Sequence, residues 1–426
     1  MSMIDYDAKP VTPQVLLVGP RASSVGYSLR DFLSRNGVPH EWVDLDDSTR
    51  VEALLSPEER GADRVPVCVL PNGMRLAPAT LEGVAAGLGM VSAPSLADYD
   101  LTIVGAGPAG LAARVYAASE GLRVVAIEAV APGGQAGTTS MIENYLGFPQ
   151  GISGSELATR ASAQAKRFGA EVLLARRLTD ITRDGPGYVA HLSDGTAVPS
   201  RAVLVASGVD WRRLEVPGID ELLGSGVYYG AGPSEAVTCS GCRVVIVGGG
   251  NSAGQAVIRF SRYAAQVILL VRGRSLEASM SQYLISQLMG LKNVEVRTNT
   301  EVVSLDPDSH LRALVVSCGD TVARMAADAL FVCIGGVPRT QGAANLGLAL
   351  DGAGYARTGR ELSASPDALD EWSLSRQPLP LETNLPGLFA AGDVRSGSIK
   401  RCAAAIGEGS MAVALVHQRL AEIGGE

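Results

Sequence analysis

Two glycine-rich turns, each set between an apolar run and a helical stretch, leave this chain few folds to choose from. Gly105-Ala106-Gly107-Pro108-Ala109-Gly110 follows Leu101 to Val104 and precedes Leu111 to Ser119. Gly248-Gly249-Gly250-Asn251-Ser252-Ala253 follows Arg243 to Val247 and precedes the helical stretch Ala256 to Tyr263. In such a turn the first glycine permits a tight reversal and the second lets backbone amides approach a diphosphate. The third small residue lets helix and strand pack, and the helix N-terminus stabilises the phosphate charge. Gly105, Gly107, Pro108, Ala109 and Gly110 are therefore expected to hold one dinucleotide, and Gly248, Gly250, Asn251, Ser252 and Ala253 a second. The predicted class is α/β, with two Rossmann-like, three-layer nucleotide-binding domains.

The second strand of each unit says what the dinucleotide carries. Arg123 to Ile127 ends in Glu128, where an acid accepts hydrogen bonds from ribose hydroxyls. Gln266 to Val271 runs instead into Arg272-Gly273-Arg274. Guanidinium groups pair with a 2′-phosphate that an acid would repel, so Arg272 and Arg274 point to NADPH, with NADH the alternative.

Composition closes off other classes. A net charge of −8, with no Lys/Arg run, argues against a nucleic-acid partner. Met1 to Pro10 has neither a cationic nor an apolar region of a signal peptide, and no eighteen-residue apolar stretch occurs, so no membrane association and a cytoplasmic location are expected. Six cysteines are too few for a secreted disulfide framework. His40, His191, His310 and His417 are dispersed without metal-ligand spacing, and no metal is expected. No Walker loop or G-x-S-x-G elbow is present.

Residues 1–92 read as a small unit of their own, with 93–97 as a linker in the Ser/Ala/Pro stretch Val91 to Ala97. Val15–Val18, Val38–Leu45 and Val65–Leu70 read as strands, and Tyr27–Asn36 and Leu81–Leu88 as helices. That order, with Val65-Pro66 expected in the cis form, resembles a thioredoxin or glutaredoxin fold. The loop where that family carries C-x-x-C is Gly19-Pro20-Arg21-Ala22-Ser23-Ser24, so a redox-inactive docking or structural module is expected.

Beyond it, Pro132-Gly133-Gly134-Gln135 and Ile142-Glu143-Asn144-Tyr145 resemble the FAD-binding segment of low-molecular-weight thioredoxin reductases, members of the pyridine nucleotide-disulfide oxidoreductases. Gly387 to Val394, containing Gly392-Asp393, resembles the second FAD motif of that family. The resemblance spans residues 98 to 426 and implies that Gly134, Gln135, Asn144, Gly392 and Asp393 contact FAD. It also places Gly208, in Ala206-Ser207-Gly208, at the family's Thr-Gly turn. Lys400-Arg401-Cys402 stands where the family has Arg-Gln, before a helix running through Ala412 to Leu420 whose N-terminus would face the isoalloxazine, with Lys400 or Arg401 as a nearby cation. This departure, and the N-terminal extension, resemble a divergent, actinobacterial-type branch. The family pattern implies an FAD-binding domain split into 98–213 and 335–426, an NAD(P)-binding domain over 214–334 inserted between them, and a homodimer.

One family feature is missing. Where those reductases carry a redox C-x-x-C, shortly before the second glycine loop, this chain reads Tyr228-Tyr229-Gly230-Ala231-Gly232-Pro233. A literal C-x-x-C occurs at Cys239-Ser240-Gly241-Cys242, but Cys242 precedes the strand Arg243–Val247 and so starts roughly 16 Å from the glycine loop at strand rise. The first expectation is an FAD-dependent NAD(P)H oxidoreductase passing electrons to a non-thiol acceptor: oxygen, a quinone or a small metabolite. The alternatives are a disulfide reductase using Cys239 and Cys242, or a substrate disulfide at the flavin, and a non-catalytic flavin-bound interaction protein. The segment Ala364 to Pro380, with Trp372 and Arg376, reads either as a wall of a substrate cavity or as a surface loop packed on the flavin domain.

Overall fold

The computed structural model describes residues 14–20, 23–139, 142, 144–219, 221–230, 233–306, 310–363, 366–369 and 372–424. Of the positions singled out above, Met1 to Pro10, Arg21, Ala22, Glu143, Ala231, Gly232, Ala364 and Ser365 lie outside these residues. The chain divides into two compact units, Met1–Met90 and Val91–Glu426.

The first unit contains β1 (Val15–Gly19), α1 (Ser24–Arg35), β2 (His40–Asp44), α2 (Ser48–Leu54), β3 (Val67–Val69), β4 (Arg75–Leu76) and α3 (Leu81–Gly87). The sheet order is β2-β1-β3-β4, with β1 parallel to β2 and antiparallel to β3. Side-chain oxygens start each helix: Ser23 accepts from Gly26 N, Asp47 from Arg50 N and Thr80 from Gly83 N. Val65-Pro66 and Ala77-Pro78 are cis. Cys68 is buried in β3, which pushes its thiol up to about 12.

The second unit opens with residues 92–96 tied down. Ser95 Oγ donates to Glu171 Oε2 (2.8 Å) and Arg176 Nη1 to Ser92 O (2.6 Å), so the stretch expected as a linker is hydrogen-bonded along the unit it leads into. There follow β5 (Tyr99–Val104), α4 (Pro108–Ser119), β6 (Val124–Glu128), α5 (Gly154–Arg167), β7 (Glu171–Leu174), β8 (Leu178–Asp184), β9 (Gly187–Leu192), β10 (Ala197–Val205) and β11 (Val209–Trp211). Then come β12 (Val227–Tyr229), α6 (Pro233–Thr238), β13 (Arg243–Val247), α7 (Asn251–Phe260), β14 (Gln266–Leu270), α8 (Gln282–Met289), β15 (Val294–Arg297), β16 (Thr300–Leu305), β17 (Ala313–Cys318), β18 (Thr321–Ala326) and β19 (Ala329–Val332). The unit closes with β20 (Gly336–Pro338), α9 (Arg360–Ser363), β21 (Leu388–Ala390) and α10 (Cys402–Gly424).

Two sheets organise these elements. One has the order β7-β6-β5-β10-β9-β8, and β21 joins it alongside β10. Its inner strands β6, β5, β10 and β21 run parallel, as the crossover helices require. The second, β12-β19-β13-β14-β15, is parallel throughout, and β16-β17-β18 forms a separate antiparallel sheet packed on its Val245 and Ile268 face. The chain leaves the first sheet through β11 and returns through β20, and these two strands pair antiparallel as a ribbon. Arg376 packs the segment before β21 onto the first sheet's layer: its guanidinium pairs with Glu382 (2.7 Å) and Glu422 (2.5 Å) and lies over the Trp372 ring.

A cation is buried in α4. Arg114 is 2% exposed, its sole hydrogen bond runs from Nη2 to Ala170 O (3.3 Å), and Nε and Nη1 have no partner among the described residues. Burial holds its pKa down at about 10. A buried charge without a counter-ion costs stability. Arg114→Met is expected to raise the unfolding free energy by about 1–3 kcal/mol; urea melts measure it, and a loss of that size would show that the guanidinium is compensated.

Candidate cofactor sites

The first glycine loop is fixed by close backbone approach. Gly105 has φ +100°, and a Cβ built on it would lie 2.5 Å from Ala206 O. On Gly110 a Cβ would lie 1.9 Å from Gly105 O. Gly107 caps α4 with no side-chain hydrogen bond, and Pro108 starts the helix without needing an N–H partner. Gly133 N donates to Ala106 O (2.7 Å), and a Cβ on Gly134 would meet Gly107 Cα at 2.9 Å. The two loops are thus stitched together and leave the α4 N-terminus bare of side chains, which is the cradle a diphosphate needs. Glu128 Oε2 accepts from Ala106 N (2.8 Å), and Oε1 from Val130 N (2.9 Å) and Ala131 N (3.2 Å). That uses three of roughly four carboxylate acceptor positions, leaving room for a ribose hydroxyl.

The other expected FAD contacts divide. Gln135 Nε2 donates to Val209 O (2.6 Å), tying this loop to β11, and Asn144 is exposed. Gly208 has φ +68° and accepts at O from Arg339 N (3.0 Å). Gly392, with φ +77°, donates to Glu408 Oε2 (2.7 Å), and a Cβ there would lie 3.1 Å from Ala109 Cβ. Burial raises the Asp393 carboxyl. Both Lys400 and Arg401 are exposed, but Lys400 Nζ donates to Asp393 O (2.6 Å) and lies 4.2 Å from the Tyr355 ring centroid, whereas Arg401 Nη1 donates to Lys400 O (3.1 Å). Lys400, not Arg401, is the cation folded back onto the Asp393 loop. Cys402 is the first residue of α10, so the helix starts earlier than its clearest apolar spacing indicates, and burial with Asp393 nearby raises its thiol. Gly409 lets α10 cross α4, since a Cβ there would meet Ala109 O at 2.1 Å.

Sequence reasoning missed Glu408, which takes the Gly392 amide and pairs with Arg395 (2.6 Å). Its signal was a lone acid between Gly407 and Gly409 in a stretch of small residues.

The second loop repeats the device. A Cβ on Gly248 (φ +144°) would lie 2.2 Å from Cys333 O, and Gly250 caps α7 with no side-chain hydrogen bond. Ala253 is buried and Ser252 exposed. Asn251 Oδ1 accepts from Ser281 N (2.7 Å), and Ser279 Oγ donates to Gly249 O (2.9 Å), so the segment before α8 braces the loop, a role the sequence did not indicate. Arg272 and Arg274, just past β14, are both exposed, with no ion pair or hydrogen bond among the described residues.

Cys239 and Cys242 lie at the other end of this sheet. Cys242 directly precedes β13, whose far end carries Gly248, and Cys242 N donates to Cys239 O (3.1 Å) in a turn. Neither is in a disulfide, Cys239 is buried, and Cys242 is raised by burial and by Asp328, which accepts from Arg243 N (2.7 Å). At Gly230, φ is +79° and a Cβ would lie 2.9 Å from the Trp211 ring. The indole of β11 thus covers the first position at which the family dithiol would be sought. Among the described residues no cluster of His, Cys, Asp and Glu could hold a metal, and no helix is long and apolar enough to cross a membrane.

Residues 99–409 match the family model of the pyridine nucleotide-disulphide oxidoreductases, and the chain belongs to that family. It is similar to a thioredoxin reductase of Bacillus subtilis, 32% identical over 76% of this chain and 96% of the relative. It is also similar to a thioredoxin reductase of Treponema pallidum, 33% identical over 74% and 95%. Among solved structures, Lactococcus lactis thioredoxin reductase in the FR conformation superposes with a TM-score of 0.66 at 25% identity, covering 76% of this chain and 100% of that one. The protein is a thioredoxin reductase-like, FAD-dependent NAD(P)H oxidoreductase with two Rossmann-like domains.

A raised pKa leaves Cys242 less thiolate at neutral pH than an unperturbed cysteine. Its alkylation by iodoacetamide, followed by peptide mass spectrometry, is expected to be slow at neutral pH and to keep climbing above pH 9. Rapid labelling that levels off below neutrality would mark an activated thiol.

Proposed function

We propose that this chain takes hydride from NADPH onto FAD and passes the electrons to a non-thiol acceptor such as oxygen, a quinone or a small metabolite. The observation that carries this reading is Gly230 lying under the Trp211 ring, at the place where the family's first redox cysteine would stand. Bound FAD supplies a two-electron carrier able to accept from a dihydronicotinamide. The chain's own residues bind and orient. Gly105, Gly107, Pro108, Ala109 and Gly110 with Gly134 would receive the FAD diphosphate at the α4 N-terminus, and Glu128 its ribose. Gln135, Asn144, Gly208, Gly392 and Asp393 would line the rest, with Lys400, Arg401 and Cys402 at the N-terminus of α10 beside the ring.

Gly248, Gly250, Asn251, Ser252 and Ala253 would hold the NADPH diphosphate. Arg272 and Arg274, exposed and without an ion pair among the described residues, are available to a 2′-phosphate. The order β2-β1-β3-β4 supports a thioredoxin-like first unit serving to dock a partner. Six cysteines, none of them in a disulfide, fit a reducing cytoplasm, and the family resemblance a homodimer.

A second reading keeps disulfide reduction, through Cys239 and Cys242 or at the flavin itself; the names of the relatives favour it. The variant Cys239→Ser/Cys242→Ser separates the two. The first reading expects NADPH turnover with an artificial acceptor to be unchanged within about twofold and the wild type to reduce no disulfide. Disulfide reduction by the wild type, whether lost in the variant or retained by it, supports the second. For the nucleotide, Arg272→Ala/Arg274→Ala is expected to raise KM for NADPH by about tenfold or more and to leave NADH nearly unchanged. Equal effects on both would refute 2′-phosphate recognition.

A further inference from the structure

The turn after β10 runs against the first glycine loop: a Cβ on Gly105 would lie 3.0 Å from Ser207 Cα. Arg339, just past β20, is bonded to that turn at both backbone groups. Ser207 Oγ donates to Arg339 O (2.6 Å), and Arg339 N donates to Gly208 O (3.0 Å). Its backbone therefore stands one hydrogen-bonded step from the loop that faces the diphosphate. The guanidinium pairs with Asp210 of β11. It is also near enough to Glu128 for that carboxylate to favour its charged form, and Glu128 is itself bonded into the loop through Ala106 N (2.8 Å).

The electrostatics of the site call for such a cation. Glu128, Asp393 and Glu408 all belong to the pocket's surroundings, and a diphosphate adds further negative charge. The α4 N-terminus offers only about half a positive charge. Asp210 holds Arg339 weakly, because both side chains are about half exposed, at 58% and 46%, and an exposed ion pair is worth little. A guanidinium exchanges such a partner for a phosphate readily, since its planar fork matches two phosphate oxygens.

We propose that Arg339 is a further FAD-binding residue, pairing with the cofactor's diphosphate and resting on Asp210 of the β11–β20 ribbon when the diphosphate is absent. The proposal rests on the reading of the first glycine loop as the FAD site, and deepens it. It also ties flavin occupancy to the ribbon through which the chain passes between its two large sheets.

The test is flavin affinity rather than turnover. Flavin-free protein is titrated with FAD by fluorescence quenching, and ADP is used as a competitor carrying the same diphosphate. Arg339→Gln is expected to weaken both FAD and ADP by about tenfold or more, with the melting temperature of the flavin-free protein unchanged. It should also flatten the dependence of FAD affinity on salt. Asp210→Asn is expected to leave FAD affinity equal or tighter, because it releases the guanidinium. Wild-type affinity in Arg339→Gln overturns the proposal. So does equal weakening in both variants, which would mark a pair that merely braces the ribbon. A wild type that takes up no FAD removes the cofactor reading itself, and this proposal with it.

Discussion

The second unit depends on backbone segments meeting where no side chain fits. Around the start of α4, Gly105 lies against Ala206 O, Gly110 against Gly105 O, Gly134 against Gly107 Cα and Gly409 against Ala109 O, each closer than a Cβ allows. These contacts leave the helix N-terminus exposed to a ligand rather than to side chains. They also draw three distant pieces of chain to one point: β10 with its Ser207-Gly208 turn, the 132–135 loop, and α10 with Lys400 near its start. A methyl group at any of these positions would force the layers apart, so packing and ligand recognition rest on one steric condition.

The same condition recurs at Gly248 against Cys333 O, and the repetition gives the chain two glycine loops, one after β5 of the mixed first sheet and one after β13 of the parallel second sheet. Between them runs the β11–β20 ribbon, which carries Trp211 and Asp210 on one strand and leads directly into Arg339 from the other. Gln135, in the loop that meets Gly107, holds this ribbon through Val209 O. In the proposed function the route for electrons is short: nicotinamide to flavin, then outward, with the Trp211 indole covering Gly230. The Cys239 turn sits beyond the opposite end of β13, where a thiol faces Asp328 rather than a cofactor loop.

Much of this was legible in the sequence because the rule is local. A strand, a glycine turn and a helix within about fifteen residues express backbone sterics directly, and both loops fall where that pattern places them. Glu128 was legible for the same reason. What the sequence did not reveal are contacts between residues far apart in the chain: Glu408 taking the Gly392 amide, Ser279 and Ser281 bracing the second loop, Trp211 over Gly230, and Arg339 on Ser207. Helix α2 escaped notice because it is short and owes its start to Asp47 rather than to a long apolar period. The choice between Lys400 and Arg401 was likewise closed to sequence, since adjacent cations differ only in the direction each side chain takes. Residues 93–97, within the stretch Val91 to Ala97, read as a linker from their Ser, Ala and Pro content, yet Glu171 and Arg176, contributed from well downstream, fasten Ser95 and Ser92.

The most direct test of the proposed electron route is the number of electrons each protein molecule accepts. An anaerobic titration of the flavin-loaded chain with NADPH, followed at the flavin absorbance and by thiol counting, measures it. The account predicts that the flavin bleaches fully at one NADPH per chain and that no new thiols appear at higher ratios. Uptake of a second equivalent, accompanied by two new thiols, would contradict it and restore a dithiol to the path.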